Sequence, residues 1–260
     1  MAAQAFLGND ISIVTCSNFR EVVRHVAEKT ADIGVMAIEN SIAGSILPNY
    51  SLLHRSNLFI TGEVYLQVDQ NLLVNPGVAV EDIREVHSHP MALQQCLNYL
   101  DQFRWKLVET EDTALSAKHI QQHRSKHIAA IASSLAANLY GLQVLEPRIQ
   151  TEKNNYTRFL ILEKESGDRQ LAGADKASIS FQTNHAKGIL SKVLTRIAEH
   201  DINLSKLQSA PIPGDPWKYN FHADMEFETP EQFYNAINAI KPLTTEVKLF
   251  GIYKKGKITQ

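Results

Sequence analysis

The sequence predicts an α/β chain in two parts, a large α/β domain followed by a small α+β domain. Short apolar runs alternate with helical patterns along residues 1–165, which favours a mostly parallel sheet covered on both faces. Residues 166–175, SGDRQLAGAD, are polar and aperiodic, and they are predicted to form a linker. Over residues 176–260 strand-like alternation and helical patterns follow each other in the order βαββαβ, which is the ferredoxin-like arrangement.

The first half of the large domain contains one predicted helix followed by three predicted strands. Asn18 and Glu21 stand at capping-box positions ahead of apolar residues at helical spacing, so residues 17–29 are predicted to be helical. The short apolar run at residues 33–38 suits a buried strand, and residues 58–73 hold two further strand-like runs. This half therefore contributes both helix and strand to the predicted α/β domain.

Three later helices are each predicted to begin at a hydroxyl side chain that directly follows a strand. The predicted caps are Ser88, Thr113 and Ser133, and Gly141 is predicted to end the last of these helices. Together such helix starts offer N–H groups and hydroxyl donors, which suit a small anion such as a carboxylate. Each one alone is explained as well by a cap that stabilises its helix by about 1 kcal/mol. The pattern therefore indicates a cleft suited to a small polyanion and names no reaction.

Composition and motifs exclude several classes of protein. The 260 residues are 44% hydrophobic and 21% charged, with a formal net charge of −2 and scattered Lys and Arg residues, so we expect no nucleic-acid partner. Without a long apolar run, a signal-peptide pattern or a CxxC motif, we expect a cytoplasmic protein with no membrane partner. Nucleotide-binding glycine motifs are absent from the sequence, and His87 and His89 lack further ligands nearby, so no cofactor and no metal are expected.

Five segments of the sequence recur, in the same order, in a known family. They are IENSIAGS at 38–45, VHSHPMALQQC at 86–96, DTALSAK at 112–118, AAIASSLAANLYGL at 129–142 and NNYTRFLIL at 154–162. With them the chain resembles prephenate dehydratases that carry a C-terminal ACT regulatory domain. The resemblance implies a two-lobed catalytic domain over residues 1–165, similar to type 2 periplasmic-binding proteins, and an ACT domain over residues 176–260. It also implies the conversion of prephenate, with loss of carbon dioxide and water, into phenylpyruvate on the route to phenylalanine.

The resemblance assigns roles to the polar residues of these segments. Thr157 takes the catalytic role, because hydroxide is a poor leaving group and needs a hydrogen-bond donor aimed at it. The expected substrate contacts are Asn40, Ser41, Ser88, Thr113, Asn155, Arg158 and Phe159. For Arg158 we favour the alternative of bracing the strand, since its side chain alternates away from that of Thr157. Glu39 is expected to be a hydrogen-bonded loop anchor rather than a catalytic acid.

In the C-terminal domain the resemblance implies a binding site for phenylalanine as an effector. The expected contacts are Asn184, Gly188, Ile189, Leu190, Gln208 and Ser209. Gly188 keeps the backbone freedom that the loop before the helix needs, but Gln208 and Ala210 replace a carboxylate and a guanidinium of the family pattern. Two interpretations stay open, feedback inhibition by phenylalanine and a domain that serves dimerisation alone. In either case we expect a homodimer or a homotetramer.

The start of the chain also departs from the family pattern. The family usually opens with a strand and a GxxGTxS-like loop, and MAAQAFLGND at residues 1–10 resembles the helix that ordinarily follows them. We therefore expect these 260 residues to lack part of the pocket wall. Three interpretations of function remain: a prephenate dehydratase, an arogenate dehydratase, and a catalytically impaired small-molecule sensor of the same fold.

Overall fold

The computed structural model describes residues 1–165, 173–184, 186–212, 215 and 218–258. The chain divides into two compact units, the first comprising Met1–Asn40, Gly44–Leu66 and Thr157–Gln260, and the second comprising Ser41–Ala43 and Gln67–Tyr156. Residues 166–172 of the predicted linker lie outside the described residues, so the predicted domain boundaries at 165 and 176 stay predictions.

The helices and strands follow one another along the chain in three stretches. The first stretch holds α1 (Ala2–Leu7), α2 (Phe19–Ala27), β1 (Gly34–Asn40), β2 (Gly44–Ser45), α3 (Leu47–Arg55) and β3 (Phe59–Gln67). The second holds β4 (Asn71–Val74), a 3-10 turn (Val80–Asp82), β5 (Glu85–Ser88), α4 (Pro90–Gln95), α5 (Leu97–Leu100), β6 (Lys106–Glu109), α6 (Thr113–Gln122), β7 (Ile128–Ala132), α7 (Ser134–Tyr140) and β8 (Gln143–Glu146). The third holds β9 (Tyr156–Glu163), β10 (Lys176–Gln182), α8 (Ile189–Ala198), β11 (Asn203–Pro211), β12 (Tyr219–Glu226), α9 (Pro230–Ile240), a 3-10 turn (Lys241–Leu243) and β13 (Glu246–Tyr253).

The first unit is built on a four-stranded sheet of order β2-β1-β9-β3. Strand β1 runs antiparallel to β9, so that Asn40 lies opposite Thr157, and an irregularity in the pairing falls between Ala37 and Glu39. Helix α2 begins as predicted, because the Asn18 side chain accepts a hydrogen bond of 3.0 Å from the backbone N–H of Glu21. Apolar residues of α2 and α3 pack against β1, β3 and β9 in one buried cluster, and this packing holds the β1–β9 pair in place.

The C-terminal strands form a second four-stranded sheet in the same unit, of order β11-β12-β10-β13, with antiparallel neighbours. Helices α8 and α9 pack together against one face, and the predicted βαββαβ arrangement is confirmed. The other face is buried as well, since Phe250 and Tyr253 join the cluster that contains Met36 and Ile60. A Cβ at Gly251 would lie 1.9 Å from the Ile60 carbonyl oxygen, so only glycine allows this approach.

The second unit holds a five-stranded mixed sheet of order β6-β5-β7-β4-β8. Strand β5 is parallel to β6 and β7, whereas β4 is antiparallel to β7 and β8. The α/β class and the division of the first 165 residues between two units are confirmed, but the prediction of a mostly parallel sheet is wrong. A continuous apolar run reports burial on both faces of a strand, and it does so equally for parallel and central antiparallel strands.

Two of the three predicted helix caps are corrected by one residue. Ser88 is the last residue of β5, and the cap of α4 is His89, whose Nδ1 accepts from the N–H of Met91 at 3.2 Å. Thr113 is the first residue of α6, and Asp112 caps it by accepting from the N–H of Leu115 at 2.8 Å. The cause is local competition, since His89 and Asp112 are themselves acceptors placed two or three residues before a free N–H.

The third predicted cap is confirmed. The Ser133 hydroxyl accepts from the N–H of Ala136 at 3.3 Å, and α7 ends at Gly141 in the left-handed conformation, with φ of 62°. Among the helices that the structure describes, none combines the length and the apolar character needed to cross a membrane.

Candidate functional site

Asn40 and Thr157 form a polar pair across β1 and β9. They are opposite each other in the strand register, both are half-buried, and Asn40 Nδ2 donates to Thr157 Oγ1 at 3.1 Å. Because the amide nitrogen donates to the hydroxyl oxygen, the hydroxyl keeps its own proton for donation, and accepting one hydrogen bond strengthens it as a donor. The residue predicted to be catalytic is therefore held as a hydrogen-bond donor by a residue predicted to contact the substrate.

Arg158 points away from Thr157 into the interior of the first unit. Its side chain is 6% exposed, and its guanidinium donates to Glu63 Oε2 (2.7 Å from Nε), to the Tyr253 hydroxyl (3.2 Å from Nη2) and to Asp224. These three protein acceptors favour the bracing role over contact with a substrate carboxylate. The half-buried Phe159 continues β9 opposite Ala37 in the register.

Buried charges surround this guanidinium. Lys176 Nζ lies 3.0 Å from Glu63 Oε1, and the side chains of both residues are almost fully buried. Burial raises the pKa of Asp224, but the neighbouring Arg158 and Lys176 outweigh burial and hold that pKa below its usual value. Burial also raises the pKa of Tyr253, so its phenol stays neutral and can donate. The network was missed from the sequence, although single charged residues within otherwise apolar strands, such as Glu63, were a visible signal.

Ser41 and Asn155 hold the backbone of their own unit. The Ser41 hydroxyl accepts from the N–H of Tyr156 at 2.9 Å, and the Ser41 N–H donates to the Tyr156 carbonyl at 2.8 Å. Asn155 is fully buried and donates through Nδ2 to Gln95 Oε1 at 2.9 Å. Both side chains thus fix the segment that enters β9, and their contact with a substrate stays a prediction.

Ser88 and Thr113 lie at the carboxyl ends of strands in the second unit. Ser88 is fully buried, and its hydroxyl donates to the carbonyl of Ile131 on β7 at 2.7 Å. Thr113 is half-buried at the start of α6. These positions at strand ends agree with the predicted layout, and the buried Ser88 bond ties β5 to β7.

An open pocket of about 360 Å³ lies near these strand ends. Its lining consists of His89, Pro90, Glu109, Thr110 and Glu111. Two carboxylates in so small a lining repel a doubly negative ligand. This pocket by itself does not suit a polyanion.

A second pocket, of about 210 Å³, lies in the ferredoxin-like part of the first unit. It is lined by Thr183, Asn184, Ala186, Gly188, Ile189, Leu190, Lys218, Tyr219 and Phe221. Four of the six predicted effector contacts are therefore brought together, with Gly188 in the left-handed conformation at φ 73°. An amide, a lysine and an apolar floor suit a small amino acid.

The other two predicted effector contacts lie on β11. Gln208 is opposite His222 and Ser209 is opposite Phe221 in the strand register, and among the described residues neither lines the pocket. Five lining residues were missed: Thr183 and Ala186 beside the predicted segment, and Lys218, Tyr219 and Phe221 farther along the chain. The order β11-β12-β10, which places β12 beside the start of α8, was the information that the sequence pattern lacked.

Other titratable groups have structural roles. Burial raises the pKa of the Cys96 thiol to about 12, as suits a small buried side chain. Burial lowers the pKa of His222 to about 4, so this imidazole is neutral at pH 7. Within the described ranges of the chain, no group of three or more His, Cys, Asp or Glu side chains could hold a metal ion.

Comparison with known families and proteins agrees with the motifs. A family model described as prephenate dehydratase matches residues 1–167. A bifunctional chorismate mutase/prephenate dehydratase of Enterobacter agglomerans is 33% identical over 94% of this chain and 63% of that protein. An arogenate dehydratase/prephenate dehydratase of Arabidopsis thaliana is 38% identical over 92% of this chain and 66% of that protein. The chain thus spans slightly less than two thirds of the length of these relatives.

Solved structures with the same fold cover almost the whole chain. The prephenate dehydratase of Arthrobacter aurescens, solved in complex with L-Phe, has a TM-score of 0.86 at 25% identity and covers 94% of this chain and 82% of that one. A protein described as a quorum quenching acylase, GqqA, has a TM-score of 0.88 at 27% identity and covers 98% and 93%. Proteins of one fold thus carry more than one described activity.

Proposed function

This chain belongs to the prephenate dehydratase family, and on that basis we propose that it converts prephenate into phenylpyruvate. The observation that carries the proposal is the Asn40–Thr157 pair, in which a half-buried hydroxyl near the start of β9 accepts from Asn40 and keeps its own proton for donation. Neutral donors of this kind stabilise charge on a departing oxygen without titrating near pH 7.

The reaction needs little more than positioning and one well-placed donor. As the bond between the ring and its carboxylate breaks, the electron pair enters the ring and carbon dioxide leaves. The ring hydroxyl departs with the electrons of its own bond and becomes water on gaining a proton. Aromatisation supplies the driving force, so the protein has to aim a donor at the departing hydroxyl. In this proposal Thr157 is that donor, and it acts by hydrogen bonding more than by complete proton transfer.

The remaining predicted site residues divide into two groups. Asn40 orients the catalytic hydroxyl, and Ser41, Ser88, Thr113, Asn155 and Phe159 are proposed as substrate contacts. Arg158 is proposed as a brace, because two carboxylates and a phenol already surround its guanidinium. In this proposal one set of residues binds the substrate and Arg158 holds strand β9 in place.

The same proposal includes an effector and an assembly. Phenylalanine is proposed to bind the pocket at Asn184, Gly188, Ile189 and Leu190, and the L-Phe complex of the Arthrobacter aurescens protein supports this choice of ligand. A homodimer or homotetramer in the cytoplasm is proposed as the working form. A C-terminal domain used for dimerisation alone is the alternative, and phenylalanine titration by calorimetry separates the two.

Arogenate is the second candidate substrate. The observation that favours it is the relative of Arabidopsis thaliana, whose name includes both activities and which is 38% identical to this chain. Arogenate differs from prephenate only in an amine in place of the side-chain keto group, so the chemistry proposed for Thr157 is the same for both.

The experiment supplies purified protein with prephenate and, separately, with arogenate, and follows the aromatic products by absorbance and mass spectrometry. The proposal expects phenylpyruvate from prephenate at a higher kcat/KM than phenylalanine from arogenate. Faster turnover of arogenate would replace the first candidate by the second. Binding of prephenate without either product would favour the sensor interpretation.

A further inference from the structure

Four charged residues form a closed arrangement between the two sheets of the first unit. Glu39 and Arg158 are register partners on β1 and β9, and Lys206 and Asp224 are register partners on β11 and β12. Ion pairs join the two sets crosswise, Lys206 Nζ to Glu39 Oε1 and Arg158 Nη1 to Asp224 Oδ2. We name this arrangement of Glu39, Arg158, Lys206 and Asp224 the four-charge cluster.

The cluster lies one residue from the proposed catalytic pair. Asn40 follows Glu39 along β1, and Thr157 precedes Arg158 along β9, so each member of the pair points to the opposite face of its strand from its charged neighbour. The Asn40–Thr157 face thus carries neutral donors, while the opposite face is fixed to the ferredoxin-like sheet by charges. Any movement of the cluster moves the backbone that carries the pair.

Lys206 holds two strands at once. Besides Glu39 on β1, its ammonium donates to the Ser45 hydroxyl on β2 at 2.6 Å, and Ser45 is the register partner of Glu39. Its side chain is 14% exposed and that of Glu39 is 29% exposed, so the ion pair is shielded from much of the solvent screening that weakens surface pairs. The strand register is irregular on both sides, between Ala37 and Glu39 and between Leu204 and Lys206, which aims both side chains at each other.

One of these strands, β12, reaches the C-terminal pocket. Phe221 on β12 lines that pocket and is three residues from Asp224. Gln208 on β11 is two residues from Lys206 and on the same side of the strand. Strand β12 therefore leads from the four-charge cluster to the pocket proposed to bind the effector, and β11 is paired with β12 along that length.

We propose that Lys206 is a positioning residue for the Asn40–Thr157 pair, and that the four-charge cluster links occupancy of the C-terminal pocket to that pair. The second half of this inference rests on the proposed function, since it takes phenylalanine as the occupant. Ligand binding changes the position of β11 and β12, the ion pairs carry that change to β1 and β9, and the donor hydroxyl changes its aim. The coupling free energy is the difference in ion-pair and packing energy between the free and occupied states.

Ion pairs suit this role because each shielded charge needs an opposite charge close to it. The cluster contains two positive and two negative side chains, so it is neutral when complete. Removing one member leaves a shielded charge without its counter-charge, which disfavours the original geometry of the strands. Removal of both charges of one pair should restore neutrality and, with it, the geometry.

The test compares Lys206→Met with a matched control, Lys255→Met. Lys255 forms an ion pair of 2.8 Å with Glu226 within the ferredoxin-like part and makes no bond to β1 or β9 among the described residues. We expect Lys206→Met to lower kcat for prephenate about tenfold with KM nearly unchanged, and to raise the phenylalanine concentration for half-inhibition about tenfold. Calorimetry should still detect phenylalanine binding to Lys206→Met, and Lys255→Met should behave as wild type in every assay.

Two rescue variants separate positioning from general damage. Lys206→Arg keeps the charge and should keep turnover and inhibition near wild type. The double variant Glu39→Gln with Lys206→Met removes both charges of the pair and should recover most of the loss seen in Lys206→Met. If Lys206→Met fails to fold, the double variant decides the matter: a folded double variant without recovery overturns the inference.

Amide hydrogen exchange tests the positioning role of Lys206 without any enzyme assay. Amide hydrogen exchange in peptides covering residues 36–45 and 155–161 should be faster in Lys206→Met than in wild type, and unchanged in Lys255→Met. If the wild type neither turns over a substrate nor binds phenylalanine, the proposed function and the effector link are wrong. Amide hydrogen exchange in Lys206→Met then still tests the positioning role of Lys206. Equal turnover, inhibition and exchange in Lys206→Met and the control would overturn the inference.

Discussion

On one face of the β1–β9 pair the polar residues are half-buried and uncharged, whereas on the other face they are buried and ionised. Asn40 and Thr157 share a single hydrogen bond of 3.1 Å, while Arg158 alone contacts two carboxylates and a phenol. A side chain that must donate to a reacting group needs a spare proton and room to approach. A side chain that fixes a strand needs all its donors engaged. The difference shows how two adjacent residues, 157 and 158, can serve opposite purposes.

Removing Arg158 from the charged face of the β1–β9 pair should have the largest effect of the changes considered, and the effect should be on stability. Arg158→Met leaves Asp224 without its ion-pair partner in the interior and Glu63 with Lys176 alone, so we expect the free energy of unfolding to fall by about 3–5 kcal/mol. Urea denaturation followed by circular dichroism measures the loss. The control is Arg196→Met on α8, where an exposed ion pair of 2.7 Å with Glu199 should contribute less than about 1 kcal/mol. Equal losses of unfolding free energy in the two variants would show that the buried ion pairs of Arg158 stabilise the fold no more than an exposed pair does.

The buried polar face of β12 should make stability depend on pH. His222 packs against Tyr50 and His54 of α3, with Asp224 and Arg158 nearby, and burial lowers its pKa to about 4. In the unfolded chain this imidazole takes up a proton near pH 6.5, well above the folded value, so the unfolded state gains protons first as the pH falls. Stability from this group is complete above about pH 7 and is lost progressively towards pH 4.

The expected size follows from the same shift. Between pH 7 and pH 5 the folded state should lose about 2 kcal/mol through His222, and His222→Gln should remove most of that slope whatever its effect on absolute stability. Thermal or urea unfolding at half-unit pH steps measures it. An identical slope in wild type and His222→Gln would assign the acid sensitivity to other groups.

Much of the fold follows from patterns that are local in the sequence. The helix at residues 19–27 was recognisable from Asn18 and Glu21, and the order βαββαβ from alternation after residue 175. Strand direction was not recognisable, because the apolar run of β9 reads the same whether it pairs with β1 antiparallel or parallel. The caps at Ser88 and Thr113 were each placed one residue away, since His89 and Asp112 were equally able acceptors.

The sites, like the fold, were predictable where their residues are close in the sequence and not where they meet through strand pairing. Asn184, Gly188, Ile189 and Leu190 of the C-terminal pocket lie close together in the sequence, so a single motif could locate them, whereas Tyr219 and Phe221 join them only through the sheet order. Thr157 and its partner Asn40 were both identified from motifs, but their hydrogen bond depends on a register between residues 117 positions apart. The four-charge cluster needs two such registers to coincide, which no local pattern can reveal.

The most direct measurement of the central claim is prephenate turnover by Thr157→Val and Thr157→Ser beside wild type. Valine keeps the shape of threonine and lacks the donor, whereas serine keeps the hydroxyl. We predict that Thr157→Val lowers kcat about 100-fold or more while Thr157→Ser stays within about tenfold of wild type, with both variants folded. A valine variant as fast as wild type would contradict the assignment of Thr157 as the donor to the departing hydroxyl.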